Sequence, residues 1–225
     1  MQRRDFLRLG LATAPISIAL GCRSHQFGHV INDNQADMVG SHTAGAETFK
    51  PLINKSVAKL LGRQETQLHS VAFNAGPPAP KRICFVCVEN RSIEELGDFK
   101  DQIYEQIDSQ ILQAQMFDPI SRRFVDSALY ETRLRPDALF VPENMRLFMA
   151  ALEQQGQPFD YLLYATLTSG TTENNQDYQR DYLLTLEMVN VHTGQYDKES
   201  AKVRKGYHHS RAGKWMNYNP FTRQS

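Results

Sequence analysis

The stretch that most constrains this chain is Arg82-Ile83-Cys84-Phe85-Val86-Cys87-Val88. Six apolar or thiol-bearing residues run without a break, rich in β-formers, after the stiff connector Gly76-Pro77-Pro78-Ala79-Pro80. A strand with one face in water alternates apolar and polar side chains. An uninterrupted run has no face to give to water and predicts a central strand buried on both sides. The run stops at Glu89-Asn90-Arg91-Ser92.

The remaining elements arrange themselves around that strand. Phe99, Ile103, Ile107 and Ile111 recur every four residues between Asp, Gln and Glu, the pattern of an amphipathic helix of about four turns. A brief strand fits Met116-Phe117, closed by Asp118-Pro119. Phe124/Val125 with Ala128/Leu129, and Leu147/Phe148 with Ala151/Leu152, predict two more helices, the second stopping at Gly156. Upstream, Leu52/Ile53, Val57 and Leu60/Leu61 predict a short helix that starts at Pro51 and stops at Gly62. In the last third the period changes to two. Residues 161–168 and 181–191 alternate, His192-Thr193-Gly194 turns the chain, and 195–204 form a more polar edge strand. Residues 170–180 read as a polar loop insert, and 206–225 as an aperiodic tail. The order implies an α+β (mixed α/β) fold, with helices packed on a mixed sheet that ends in an antiparallel hairpin.

The first residues read as an address. Arg3-Arg4 followed by Phe6-Leu7 is similar to a twin-arginine export signal, and only about 12 apolar residues follow, against the roughly 20 a spanning helix needs. Ala19-Leu20-Gly21-Cys22 is similar to a lipobox, making Cys22 the lipidated first residue of the mature chain. The expected organisation is a signal at 1–21, a lipidated N-terminus and flexible tether at 22–50, a domain at 51–204 and a tail at 205–225. A tether of about 27 residues reaches at most roughly 90 Å. The whole chain balances 25 Lys and Arg against 25 Asp and Glu. Loss of residues 1–21 removes Arg3, Arg4 and Arg8 against Asp5 alone, leaving a formal charge of −2. Neither balance gives the basic footprint of a nucleic-acid binder, and the absence of long apolar runs excludes a bundle of membrane-spanning helices.

Chemistry-bearing constellations are few. Cys84 and Cys87 lie three apart inside a strand, where alternation sends them to opposite faces, so they read as small core hydrophobes rather than a redox pair. His25, His29 and His42, and the pair His208-His209, lack a converging third ligand, so no metal site is expected. No nucleophile motif stands in a fitting context, and neither catalytic residues nor a cofactor are assigned. Asn90-Arg91-Ser92 carries two open readings. The polar side chains emerge at the end of a buried strand and can form a recognition surface; equally, Asn90 and Ser92 can bond into the turn while Arg91 pairs with a helix acid.

Ile83 to Ser92, the helix after it, Asp160-Tyr161-Leu162-Leu163-Tyr164-Ala165, and the run from Tyr182 to Gly194 together resemble the outer-membrane lipoprotein activators of penicillin-binding proteins, of the LpoB type. The resemblance covers roughly residues 50 to 204 and shares a strand ending in Asn-Arg-Ser/Thr, a YxLY strand and a hairpin closing on Thr-Gly. It implies a non-enzymatic protein, lipid-anchored on the periplasmic side of the outer membrane. Such a protein binds a class A penicillin-binding protein, a bifunctional peptidoglycan synthase, as a monomer and activates it without cofactors or nucleic acid. Asn90, Arg91 and the hairpin around Thr193 are the candidate contact residues. The alternative is an envelope assembly or curli-type secretion component that acts by self-association.

Overall fold

The computed structural model describes residues 44–71, 81–174 and 177–207. The signal, Cys22 and His208-His209 lie outside the described residues. Five strands form one sheet in the order β2-β1-β3-β4-β5: β1 (Lys81–Arg91), β2 (Phe117–Pro119), β3 (Tyr161–Asn174), β4 (Asp177–Asn190) and β5 (Tyr196–Tyr207). β1 runs parallel to both its neighbours, whereas β3, β4 and β5 form an antiparallel meander. The expected mixed sheet with a closing hairpin is therefore present.

Parallel neighbours need crossovers, and the chain makes two. From β1 to β2 it passes through α2 (Phe99–Ala114); from β2 to β3 it passes through α3 (Arg122–Thr132), a 3-10 helix (Pro136–Phe140) and α4 (Pro142–Gln154). The two connections cover opposite faces. On one, Ile103, Ile107 and Ile111 of α2, with Leu52, Ile53, Val57 and Leu60 of α1 (Ala46–Val71), bury Ile83, Phe85, Leu163, Leu184 and Leu186. On the other, Val125, Ala128, Phe148 and Leu152 bury Cys84, Val86 and Leu162. β1 is thus covered on both sides, as its unbroken apolar run requires.

A bulge in β1 changes the expected parity. Its register against β3 slips between Phe85 and Cys87. Alternation sends Cys84 and Val86 to the α3/α4 layer; the extra residue then sends Cys87 there too, and Val88 returns to the other core. The two cysteines therefore share one layer rather than facing apart. Both are free thiols.

Because β2 is only three residues long, the edge of β1 is bare beyond Ile83. The Ile83 carbonyl accepts from Ile120 N–H at 2.9 Å. The next carbonyl on that side, of Phe85, accepts from the Tyr104 hydroxyl at 2.7 Å, while the two rings stack at 4.2 Å. A side chain of α2 completes the ladder that β2 leaves unfinished.

α1 overruns both expected ends. It begins at Ala46, with Thr48 and Phe49 N–H bonded to the Gly45 carbonyl, and continues past Gly62 to Val71. Pro51 forfeits one bond in the second turn, and Gly62 lowers the intrinsic propensity. Burial of Phe49, Leu52, Ile53, Val57 and Leu60 outweighs both. The far half of α1 is held to β5: Lys59 donates to the Ser200 carbonyl at 2.8 Å, Gln64 to Asp197 at 2.7 Å, and Arg63 pairs with Glu199 at 2.5 Å. These contacts cover an edge strand that would otherwise offer its backbone to other chains.

Tyr104→Phe keeps the stack but strands the Phe85 carbonyl. It should lower stability by about 1–3 kcal/mol in urea unfolding; an unchanged midpoint would contradict the role given to this hydroxyl.

Candidate functional site

The α3/α4 layer covers β1, the first part of β3 and Val189 near the end of β4, and stops there. Beyond it, the same face of the sheet is open. Alternation puts Leu163, Ala165 and Leu167 of β3, and Tyr182, Leu184, Leu186 and Met188 of β4, into the core beneath α1 and α2. Their neighbours Thr166, Thr168, Leu183, Thr185 and Glu187 consequently face outward. Thr166 stands opposite Thr185, Thr168 opposite Leu183, and Glu187 opposite Lys198 of β5. The 3-10 helix walls this surface with Pro136, Asp137 and Phe140, and Cys87 and Tyr164 form its inner end. The result is a groove of about 670 Å³. It lies toward the carboxyl end of β1, where the crossovers leave on opposite faces of the sheet, a place where open α/β sheets commonly bind ligands.

The groove has a defined charge pattern. Arg91 pairs with Glu89 at 2.8 Å, Arg135 with Asp137 at 3.1 Å, and Lys198 with Glu187 at 3.3 Å. Lys100, on the first turn of α2, also lines it. Burial pushes the Cys87 thiol up to about 11, with Lys100 acting in the opposite direction. Burial raises the Tyr164 phenol as well. Its hydroxyl has no hydrogen-bond partner, although the residue is only 7% exposed, and its ring stacks on Phe140 at 5.0 Å.

Of the three residues expected at the contact, Asn90 and Arg91 stand together at the end of β1. Asn90 is occupied with its own loop: its Oδ1 accepts from Ser92 N–H at 3.0 Å and from the Ser92 hydroxyl at 2.6 Å, and its Nδ2 donates to the Glu94 carbonyl at 2.7 Å. Arg91 pairs with Glu89 on its own strand instead of a helix acid, and lines the groove. Thr193 lies elsewhere. Its turn follows Asn190, which pairs with Tyr161 at the start of β3, whereas Arg91 pairs with Thr168 seven residues on. That separation is about 23 Å at strand rise. The turn is built by Asn190, whose side chain accepts from the N–H groups of His192 and Thr193, and by Gly194 at φ 73°.

A second polar cluster, without a local signature in the sequence, lies on the extended part of β3 and β4. Residues 170–174 and 177–180 of the expected loop are instead ladder: β3 and β4 stay paired from Tyr161↔Asn190 to Asn174↔Asp177. This extension is held by Glu94, which the Asn90 loop turns inward. Arg180 pairs with the Glu94 carboxylate, and the Tyr182 hydroxyl donates to it at 2.8 Å. Tyr182 also lies 3.3 Å from the Tyr207 hydroxyl, and Tyr207 stacks on Tyr178 at 4.4 Å. Glu94 and Arg180 are 86 positions apart, so local spacing carries no sign of their pairing; the alternation of aromatics at 178 and 182 was the available hint. Among the described residues, no group of three His, Cys, Asp or Glu is placed to hold a metal.

No curated protein sequence matches the chain. Among solved structures it is similar to the C-terminal domain of LpoB from Salmonella enterica, with TM-score 0.46 and 16% identity over 69% of this chain and 97% of that one. It is also similar to lipoprotein GNA1162 from Neisseria meningitidis, with TM-score 0.40 and 21% identity over 60% and 89% of the two chains. A further similarity is to PelC from Paraburkholderia phytofirmans, solved as a dodecamer, with TM-score 0.31 and 15% identity over 60% and 78%. The family model of the peptidoglycan-synthase activator LpoB matches residues 49–197, from the first turn of α1 into β5. With well over half of it so matched, the chain belongs to the LpoB family: non-catalytic lipoproteins, lipid-anchored at the outer membrane and facing the periplasm, that activate peptidoglycan synthases of the class A penicillin-binding type.

Proposed function

We propose that this chain, anchored through a lipidated Cys22, contacts its synthase as a monomer through the open sheet face at the carboxyl end of β1. The observation that carries this reading is the match of residues 49–197 to the activator family, because it takes in every residue that lines the groove except Lys198. Arg91 contributes directly to the contact and Asn90 by shaping the loop that follows. Thr193, at the other end of the sheet, is outside this surface. Activation is a population shift: the domain binds an active conformation of the synthase more tightly than the resting one. With α1 beginning at Ala46, a tether from Cys22 spans at most roughly 85 Å when fully extended. That length limits which synthase domains the anchored protein can reach.

Capture of purified class A synthases, followed by a glycan-polymerisation assay, tests this function. Binding with stimulation is expected. Arg91→Glu sets a second carboxylate beside Glu89 and should weaken binding about tenfold, roughly 1.4 kcal/mol, while Thr193→Ala should leave it unchanged. Absence of both binding and stimulation with the wild-type chain would refute the proposal, and so would a ring-like oligomer as the sole species. Cys22→Ser should release the protein from membranes; continued anchoring would defeat the assignment of the lipid site.

A further inference from the structure

The groove contains more binding chemistry than the fold consumes. Four cations line it, Arg91, Lys100, Arg135 and Lys198, against three carboxylates, Glu89, Asp137 and Glu187. Each carboxylate is paired within the groove to one of the arginines or to Lys198. Lys100 is the cation left over, and among the described residues its ammonium has no hydrogen-bond or ion-pair partner. Below it, Cys87, Leu183 and Phe140 supply an apolar floor and wall, with Phe140 63% exposed despite its size. The Tyr164 hydroxyl is the second unspent group: it is buried, lines the same groove and has no acceptor. A buried hydroxyl without a partner is a cost in the free protein. An uncompensated cation, an unsatisfied donor and an exposed aromatic in one concave site describe a surface that is completed by something else.

We infer that the groove receives a segment of the synthase that presents a carboxylate side chain to Lys100 next to an aliphatic side chain on the Cys87–Leu183–Phe140 floor, with an acceptor of the same segment taking the Tyr164 hydroxyl. This rests on the contact surface proposed above and specifies its chemistry. The carboxylate supplies the charge that the groove lacks, and a charge-assisted bond to Lys100 forms where the walls exclude part of the solvent. The aliphatic group covers Phe140 and Leu183 and removes apolar surface from water. Long-range attraction between the surplus cation and an acidic segment also accelerates encounter, and salt weakens it.

The test uses the full chain and the class A synthases purified from the same genome, with affinity measured at low and high salt. Lys100→Glu should weaken binding more than tenfold and flatten its salt dependence. Tyr164→Phe should weaken binding several-fold while leaving the thermal midpoint at or above that of wild type, because the hydroxyl has no partner to lose in the free protein. A residue with a purely structural hydroxyl would show the reverse. Lys55→Glu, on an exposed position of α1 in the opposite layer, should change nothing. Wild-type binding that persists within twofold in both groove variants would overturn the inference and leave the proposed function standing. Failure of the wild-type chain to bind any class A synthase would overturn both. A shift of oligomeric state in Lys100→Glu would identify a second copy of this chain as the occupant and also overturn the inference.

Discussion

Everything in this fold is arranged around a strand that tolerates no water on either face. β1 carries Ile83, Phe85 and Val88 into one core and Cys84 and Val86 into the other, so helices must pack on both sides. Its parallel neighbours can be reached only by crossovers, and these supply the helices. The price of such a strand is backbone that needs partners along its whole length. With β2 ending after three residues, α2 lends the Tyr104 hydroxyl to the exposed Phe85 carbonyl. One residue later the bulge begins, moving Cys87 to the face where the covering layer gives out. Where that layer ends, the groove starts.

Much of this was legible in the sequence because it depends on periodicity. The four-residue spacing of Phe99, Ile103, Ile107 and Ile111 gave α2, and strict alternation from Tyr182 to Met188 gave the buried face of β4. What remained hidden is what periodicity does not encode. Pro51 and Gly62 have the local character of helix ends, yet burial of α1 against the sheet overrides them. Residues 170–174 and 177–180 are polar because these parts of β3 and β4 project past the main core, where Glu94, Arg180 and Tyr207 hold them instead of aliphatic packing. The bulge follows from the register between two strands some 80 residues apart, so the parity of Cys87 could not be read from β1 alone.

The candidate site shows the same division. Asn90 and Arg91 stood out because polar residues directly after a buried strand sit at a sheet end, and the structure separates their tasks. Asn90 ties the loop and directs Glu94 inward; Arg91 faces the groove. Thr193 shares only the property of lying in a turn. Lys100, Tyr164 and Phe140 carry no signature in the sequence, since a lysine early in a helix, an aromatic in a strand and an aromatic in a short connecting helix are ordinary features. They gain meaning through their convergence at the end of β1. For a protein that works by contact instead of chemistry, the informative groups are those whose interactions the fold leaves incomplete.

The central claim is that the open face beside β1 meets the synthase. Amide shift mapping of the isotope-labelled chain, free and bound to a class A synthase, tests it most directly. The largest changes are expected at 89–100, 136–141, 164–168 and 183–187. Changes confined to α1, α2 and β5, with those segments unmoved, would contradict it.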